Sequence, residues 1–138
     1  MLSIGKLSGQ TGVKVPTIRY YEDAGMLPVP ERSPSNQRLY GAATVERLNF
    51  IRHSRELGFP LEAIRDLLSL SDKPDQSCAA ADAIAQVQLR AVEARIARLQ
   101  NLKSELERMV SQCAGGKISE CRVIESLGDH DQCRVEHT

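Results

Sequence analysis

The chain has 138 residues, no tryptophan and 4% aromatic content, which excludes a large aromatic-rich core and suits one compact domain or a small head joined to a long helix. Residues 1–70 carry nine basic against seven acidic side chains and residues 71–138 nine against eleven, a mild asymmetry that by itself points only weakly to nucleic acid. No apolar run approaches the roughly 18 residues of a membrane span, and "MLSIGKLSGQ" lacks the basic and apolar regions of a signal peptide, so a cytoplasmic protein with reduced cysteines is expected.

In chain order, residues 4–10 predict a short helix with Ile4 and Leu7 on one face, ended by Gly12. "VPTIRYYEDAGML" predicts a second helix from Val15, with Pro16 in its first turn and Gly25 just past its end. Two short helices across a glycine turn form a helix-turn-helix pattern. Pro28, Pro30 and Pro34 then force extended backbone. Ser35 and Asn36 suit a turn, which predicts a small β-wing ending at residues 38–40. A third helix is expected over residues 43–57 from the stripe Val45, Leu48, Ile51 and Leu57. After "GFP", Pro60 starts a fourth helix bearing Leu61, Ile64, Leu67 and Leu68. "SLSDKPDQS" is a polar link, and residues 77–112 then hold neither Pro nor Gly, which predicts one long helix. The segment after Leu127 is polar and expected to be mobile.

Alternating steps of three and four place Leu89, Val92, Ile96, Leu99, Lys103, Leu106 and Val110 on one seam of that long helix, with Leu102 beside the Lys103 break. This is coiled-coil spacing, though a single amphipathic helix packed on its own domain gives the same pattern. Pairing is the expectation, because the rest of the chain supplies no other body to bury so long a stripe. The same register reaches Cys78 and Cys113, 35 residues and five heptads apart, or roughly 52 Å along a helix at 1.5 Å per residue. Those two thiols cannot meet within one helix. In an antiparallel homodimer Cys78 of one chain lies opposite Cys113 of the other, and Cys121 folds back to the same place through Gly115-Gly116. Three thiols at each end of the dimer make a metal site. For Cys78 taken alone, a small buried hydrophobe is an equally open reading. Cys133, His130 and His137 read as solvated tail residues, and His53 as packed or solvent-facing.

The helix-turn-helix and wing point to DNA: Arg19 and Tyr20 on the second helix, and Arg32, Arg38 and Tyr40 in the wing, are types that clamp phosphate or read base edges. "IGKLSGQTGV…TIRYYEDAGMLP", "ERSPSNQRLY", "VERLNFIRHSRELGFPLEAIRDLL" and the closing Cys-loop together resemble the MerR family of metal-responsive transcription regulators, from residue 2 to about residue 127.

The resemblance implies a mainly α fold: a winged-helix head (residues 1–70), a linker and antiparallel coiled-coil dimerisation helix (71–112), a metal-binding loop with a short helix (113–127) and a tail (128–138). It carries DNA contacts onto Lys14, Thr17, Arg19, Tyr20, Arg32, Gln37, Arg38 and Tyr40. It implies as effector one divalent ion per loop (zinc, cadmium or lead) on Cys78, Cys113 and Cys121. It also implies a homodimer on double-stranded promoter DNA that reaches RNA polymerase indirectly, by distorting the DNA. Two departures stand out. Lys14 replaces the usual Ser or Thr cap, which weakens the start of the second helix. Asn36-Gln37 replaces the Gly-Tyr common in the wing, which alters one backbone contact.

Drug-sensing branches of the family carry a large C-terminal domain that this chain has no room for, and the iron–sulfur branch has a closer cysteine spacing. Copper(I)-sensing relatives have Ser at the position of Cys78, whereas divalent-ion sensors keep the cysteine. Two thiolates with a monovalent ion and three with a divalent ion leave the same residual charge of −1, so coordination number discriminates between them. Ala114 stands where zinc sensors often add a cysteine, which argues against a second ion, and three thiolates suit cadmium or lead at least as well as zinc. The competing functions are a thiol redox sensor built on Cys113 and Cys121, and a metal buffer or small thiol enzyme, which leaves the wing arginines without a purpose. No Ser/His/Asp set, phosphate loop or carboxylate pair supports catalysis.

Overall fold

Local capping decides where the first helices begin and end. In the computed structural model, which describes residues 1–112, 115–118 and 121–128, α1 spans Ile4–Thr11, and the Ser3 side chain accepts a hydrogen bond from the Lys6 N–H at 3.3 Å. Gly12 ends it with φ +74°, its N–H donating to the Ser8 carbonyl. Helix α2 spans Val15–Asp23 and starts at Lys14 with no side-chain cap, as the missing Ser or Thr predicts. Gly25, at φ +76°, turns the chain away after it.

The wing pairs β1 (Glu31–Arg32) antiparallel with β2 (Arg38–Leu39), Glu31 opposite Leu39 and Arg32 opposite Arg38. Its turn closes through the Asn36 N–H donating to the Ser33 carbonyl at 2.8 Å, and Asn36 takes φ +65°. Asparagine tolerates that left-handed conformation better than most residues. Leu2 and Tyr40 exchange two backbone hydrogen bonds of 2.8 Å, so the start of the chain extends the wing. Helices α3 (Ala42–Glu56) and α4 (Leu61–Ser71) complete the head. Its core gathers Leu7, Ile18, Leu48, Ile51, Ile64 and Leu68, with Tyr21, Met26, Leu27 and Tyr40 around them. One expectation fails here. Leu57 follows the last turn of α3 and is 54% exposed, so it leaves the core stripe.

Two arginines brace these helices over long sequence distances. Arg52 Nη1 donates to the Thr11 carbonyl at 2.8 Å, which ties the end of α1 to α3. Arg47 donates from Nε to the Met26 carbonyl at 2.8 Å and from Nη1 to Asp72 at 3.0 Å, joining the chain after α2 to the end of α4.

Helix α5 runs unbroken over Ala79–Gln112 for 34 residues. It begins two residues later than expected because Ser77 Oγ accepts from the Ala79 N–H and the Cys78 carbonyl from the Asp82 N–H, which puts both residues at the cap. The chain divides into two compact units, Met1–Ala85 and Gln86–Thr138, with the boundary inside this helix. In the second unit the seam residues Leu89, Ile96, Leu99, Leu106 and Val110 are all at least half exposed. Burial on α5 falls instead on Glu105 and Met109, and Glu105 is paired with Arg108 at 2.8 Å. Helix α6 (Arg122–Gly128) follows, with Ser126 buried. Among the described residues, no helix is long and apolar enough to cross a membrane.

Gly12 provides a test of the head. A Cβ there lies 3.4 Å from Arg52 Nη1, and φ is +74°. Gly12→Ala should cost about 1–2 kcal/mol, the penalty of a left-handed L-residue. Urea unfolding measures it, and a variant as stable as the parent contradicts this account of the turn.

Candidate DNA interface and thiol positions

Helical periodicity splits α2 into two faces. Ile18 and Tyr21 point into the core, while Lys14, Arg19 and Tyr20 are exposed and Thr17 is half-buried. The Tyr20 ring leans on Tyr21, with centroids 5.9 Å apart. The exposed face therefore offers two cations and a phenol, a set suited to phosphate and base edges.

The wing adds a second cationic group. Arg32 and Gln37 are exposed, and Arg32 Nη1 donates to the Asn36 carbonyl at 3.2 Å, which steadies the turn. Arg38 is half-buried, with Nε 3.3 Å from Glu22 Oε2. Tyr40 is different. It is 1% exposed, and its hydroxyl donates to Glu22 Oε1 at 3.1 Å. The sequence suggests Tyr40 as a phosphate-holding hydroxyl, and the structure places it inside the head with that hydroxyl already engaged. Glu22, in the last turn of α2, is the residue that the sequence reading passes over. In sequence it is one acid in "RYYED", and only the folded chain brings it to Arg38 and Tyr40.

Burial pushes the Tyr40 phenol up from 10.0 to about 12, helped by the negative charge and hydrogen bond of Glu22 and opposed by Arg38 and Arg19.

Cys78 is exposed at the start of α5 and lines a groove with Phe50, Leu67, Leu70 and Pro74. Cys121 is half-buried and caps α6, its N–H donating to the Ile118 carbonyl at 3.1 Å and its carbonyl accepting from the Glu125 N–H at 3.0 Å. Gly115 and Gly116 adopt φ +75° and +104°, so the turn before Cys121 uses backbone that other residues rarely take. Cys113, Cys133, His130 and His137 lie outside the described residues. Among those described, no group of three or more His, Cys, Asp or Glu side chains could hold a metal ion. His53 faces solvent, its side chain 74% exposed.

Two family models match the chain: "MerR HTH family regulatory protein" over residues 2–71 and "MerR, DNA binding" over residues 45–109. The HTH-type transcriptional regulator ZntR of Escherichia coli (strain K12) is 42% identical over 130 residues, 92% of each chain. The HTH-type transcriptional regulator HmrR of Rhizobium leguminosarum bv. viciae is 38% identical, covering 93% of this chain and 98% of that one. Among solved structures, the transcription regulator PbrR691 of Ralstonia metallidurans CH34 in complex with lead(II) superposes with a TM-score of 0.79 at 35% identity, covering 92% of this chain and 99% of that chain.

The Tyr40 shift carries a pH signature. Its folded value of about 12 lies above its ordinary 10.0, so the folded state keeps a proton that the unfolded chain releases. The associated stability is present below pH 10 and is lost as pH rises from 10 towards 12. Urea midpoints should fall more steeply across that window for the parent than for Tyr40→Phe, and equal slopes contradict the assignment.

Proposed function

The chain belongs to the MerR family of transcriptional regulators, and from that premise we propose that it is a cytoplasmic, metal-responsive activator working as an antiparallel homodimer. Residues 1–70 bind the promoter, 71–112 link and pair the subunits, 113–127 close over the effector and 128–138 form a tail. One divalent ion per loop is held by Cys113 and Cys121 of one chain and by the partner's Cys78. Its binding changes the DNA geometry set by the two heads, so that RNA polymerase engages the promoter through the altered duplex.

The observation carrying this reading is the unbroken helix α5, with an apolar seam left open along it and Cys78 at its cap, five heptads from Cys113. An open stripe of Leu, Ile and Val on a helix this long calls for a partner helix. The donor set fits the ion class: thiolates are soft ligands suited to zinc, cadmium and lead, and a Gly115-Gly116 turn already in left-handed backbone lets a loop fold over an ion. Two similar proteins have names that agree with this reading, one a regulator called ZntR and one solved with lead(II). With Ala114 after the first loop thiol, the set has three thiolates per ion and no second ion.

On the DNA side, Lys14, Thr17, Arg19 and Tyr20 of α2 and Arg32, Gln37 and Arg38 of the wing face the duplex. Tyr40 acts from inside the head. Arg19→Ala and Arg38→Ala should each weaken binding to operator and unrelated duplex alike, and reduce the slope of log affinity against log salt by about one. Unchanged operator affinity in both variants removes the head from the interface.

The metal reading is tested by in vitro transcription from the cognate promoter across a panel of metal ions. Cys78→Ser should abolish activation by zinc, cadmium and lead while the metal-free protein still binds its DNA. Full response of that variant to all three overturns the three-thiolate site and leaves a two-thiolate copper(I) sensor built on Cys113 and Cys121.

A further inference from the structure

We propose that Glu22 is a positioning residue of the DNA interface: it locks the wing onto the end of the recognition helix and holds Arg38 so that its outer nitrogens face the phosphates. The inference deepens the reading of α2 and the wing as the DNA-contacting surface, and rests on it.

Glu22 lies in the last turn of α2, and its side chain is only 11% exposed. Its two oxygens are divided between two residues of the wing. Oε1 accepts the Tyr40 hydroxyl at 3.1 Å, and Oε2 is 3.3 Å from Arg38 Nε. An enclosed carboxylate is costly unless donors and a counter-charge surround it, and here the wing supplies both. The arrangement is more than a surface ion pair, because each partner is itself fixed. Arg38 is held by strand pairing opposite Arg32, and Tyr40 by its buried ring and its two backbone bonds to Leu2.

The consequence for Arg38 is directional. A guanidinium is a rigid fork of five donors. The Arg38 Nε is buried 3.3 Å from Glu22 Oε2, an ion pair without a formed hydrogen bond, and the η nitrogens meet no acceptor among the described residues. The Arg38 side chain remains 36% exposed, so a cation is presented with its rotamers already restricted. Less entropy is then lost when it meets a phosphate.

Simple electrostatics predicts the opposite sign for Glu22. Removing a negative charge from a surface that approaches DNA should strengthen binding, because phosphate repulsion falls. The positioning role predicts weakening.

The experiment uses the full chain on a cognate operator duplex and on a scrambled one, by fluorescence anisotropy across a salt series, with thermal melts alongside. Glu22→Gln should lose about tenfold in affinity for both duplexes, with a salt slope lower by about one, the signature of one lost phosphate contact. In combination with Arg38→Ala it should lose no more than either single variant, because both remove the same contact. Tyr40→Phe keeps the buried ring and should show a smaller loss in the same direction. Unchanged or tighter binding by Glu22→Gln overturns the proposal, as does full additivity with Arg38→Ala. If Glu22→Gln fails to fold, Tyr40→Phe decides: weakened binding with a lowered salt slope supports the role, and parental binding overturns it. If Arg38→Ala and Arg19→Ala themselves bind like the parent, the DNA reading of the head has failed, an outcome separate from failure of Glu22 alone.

Discussion

An α-helix of 34 residues without proline or glycine is a ruler. At 1.5 Å per residue a helix of that length is about 51 Å long. The proposed thiol site, which uses both ends, is therefore one that two chains would build together. The open apolar seam and the separation of Cys78 from Cys113 by whole heptads in the sequence both support the proposed pair of helices running in opposite directions.

The head solves a different problem. It is small, and its fixed geometry depends on a few long-range polar contacts laid over a modest core. Arg52 closes the end of α1 where the Thr11 carbonyl has no helical partner. Arg47 reaches the Met26 carbonyl and Asp72 together, and Glu22 takes both Arg38 and Tyr40. Each contact spans more than 15 residues of sequence. Only the Arg47–Asp72 pair among them is an exposed ion pair, a kind that contributes little to stability; the others are partly buried and fix orientation. They set the angle between recognition helix and wing, and the position of the chain leaving α4.

Much of this was legible in the sequence, and for identifiable reasons. Gly12, Gly25, Pro16 and Pro60 act through local backbone geometry, and the helix bounds fall within two residues of those they imply. The wing turn could be read from Asn36 because its tolerance of positive φ is also local. What escaped was tertiary. Nothing in "RYYED" shows that Glu22 will face inward, or that the Tyr40 hydroxyl will be engaged before any DNA arrives. Leu57 carried the right period for the core, yet it lies just beyond the last turn of α3. The proposed thiol site can be read in the sequence only as a register along one helix, and Cys113 lies outside the described residues.

The shared carboxylate also bears on how such a head can change its target over evolution or in the laboratory. A recognition helix transplanted alone from a relative lacking this acid would leave the resident Arg38 and Tyr40 without their partner. Helix and wing are thereby linked as one heritable cassette, reaching from Val15 to Tyr40. New operator preferences are then more readily acquired by exchanging the whole cassette, or by altering its outward residues such as Arg19 and Tyr20, than by swapping the helix on its own.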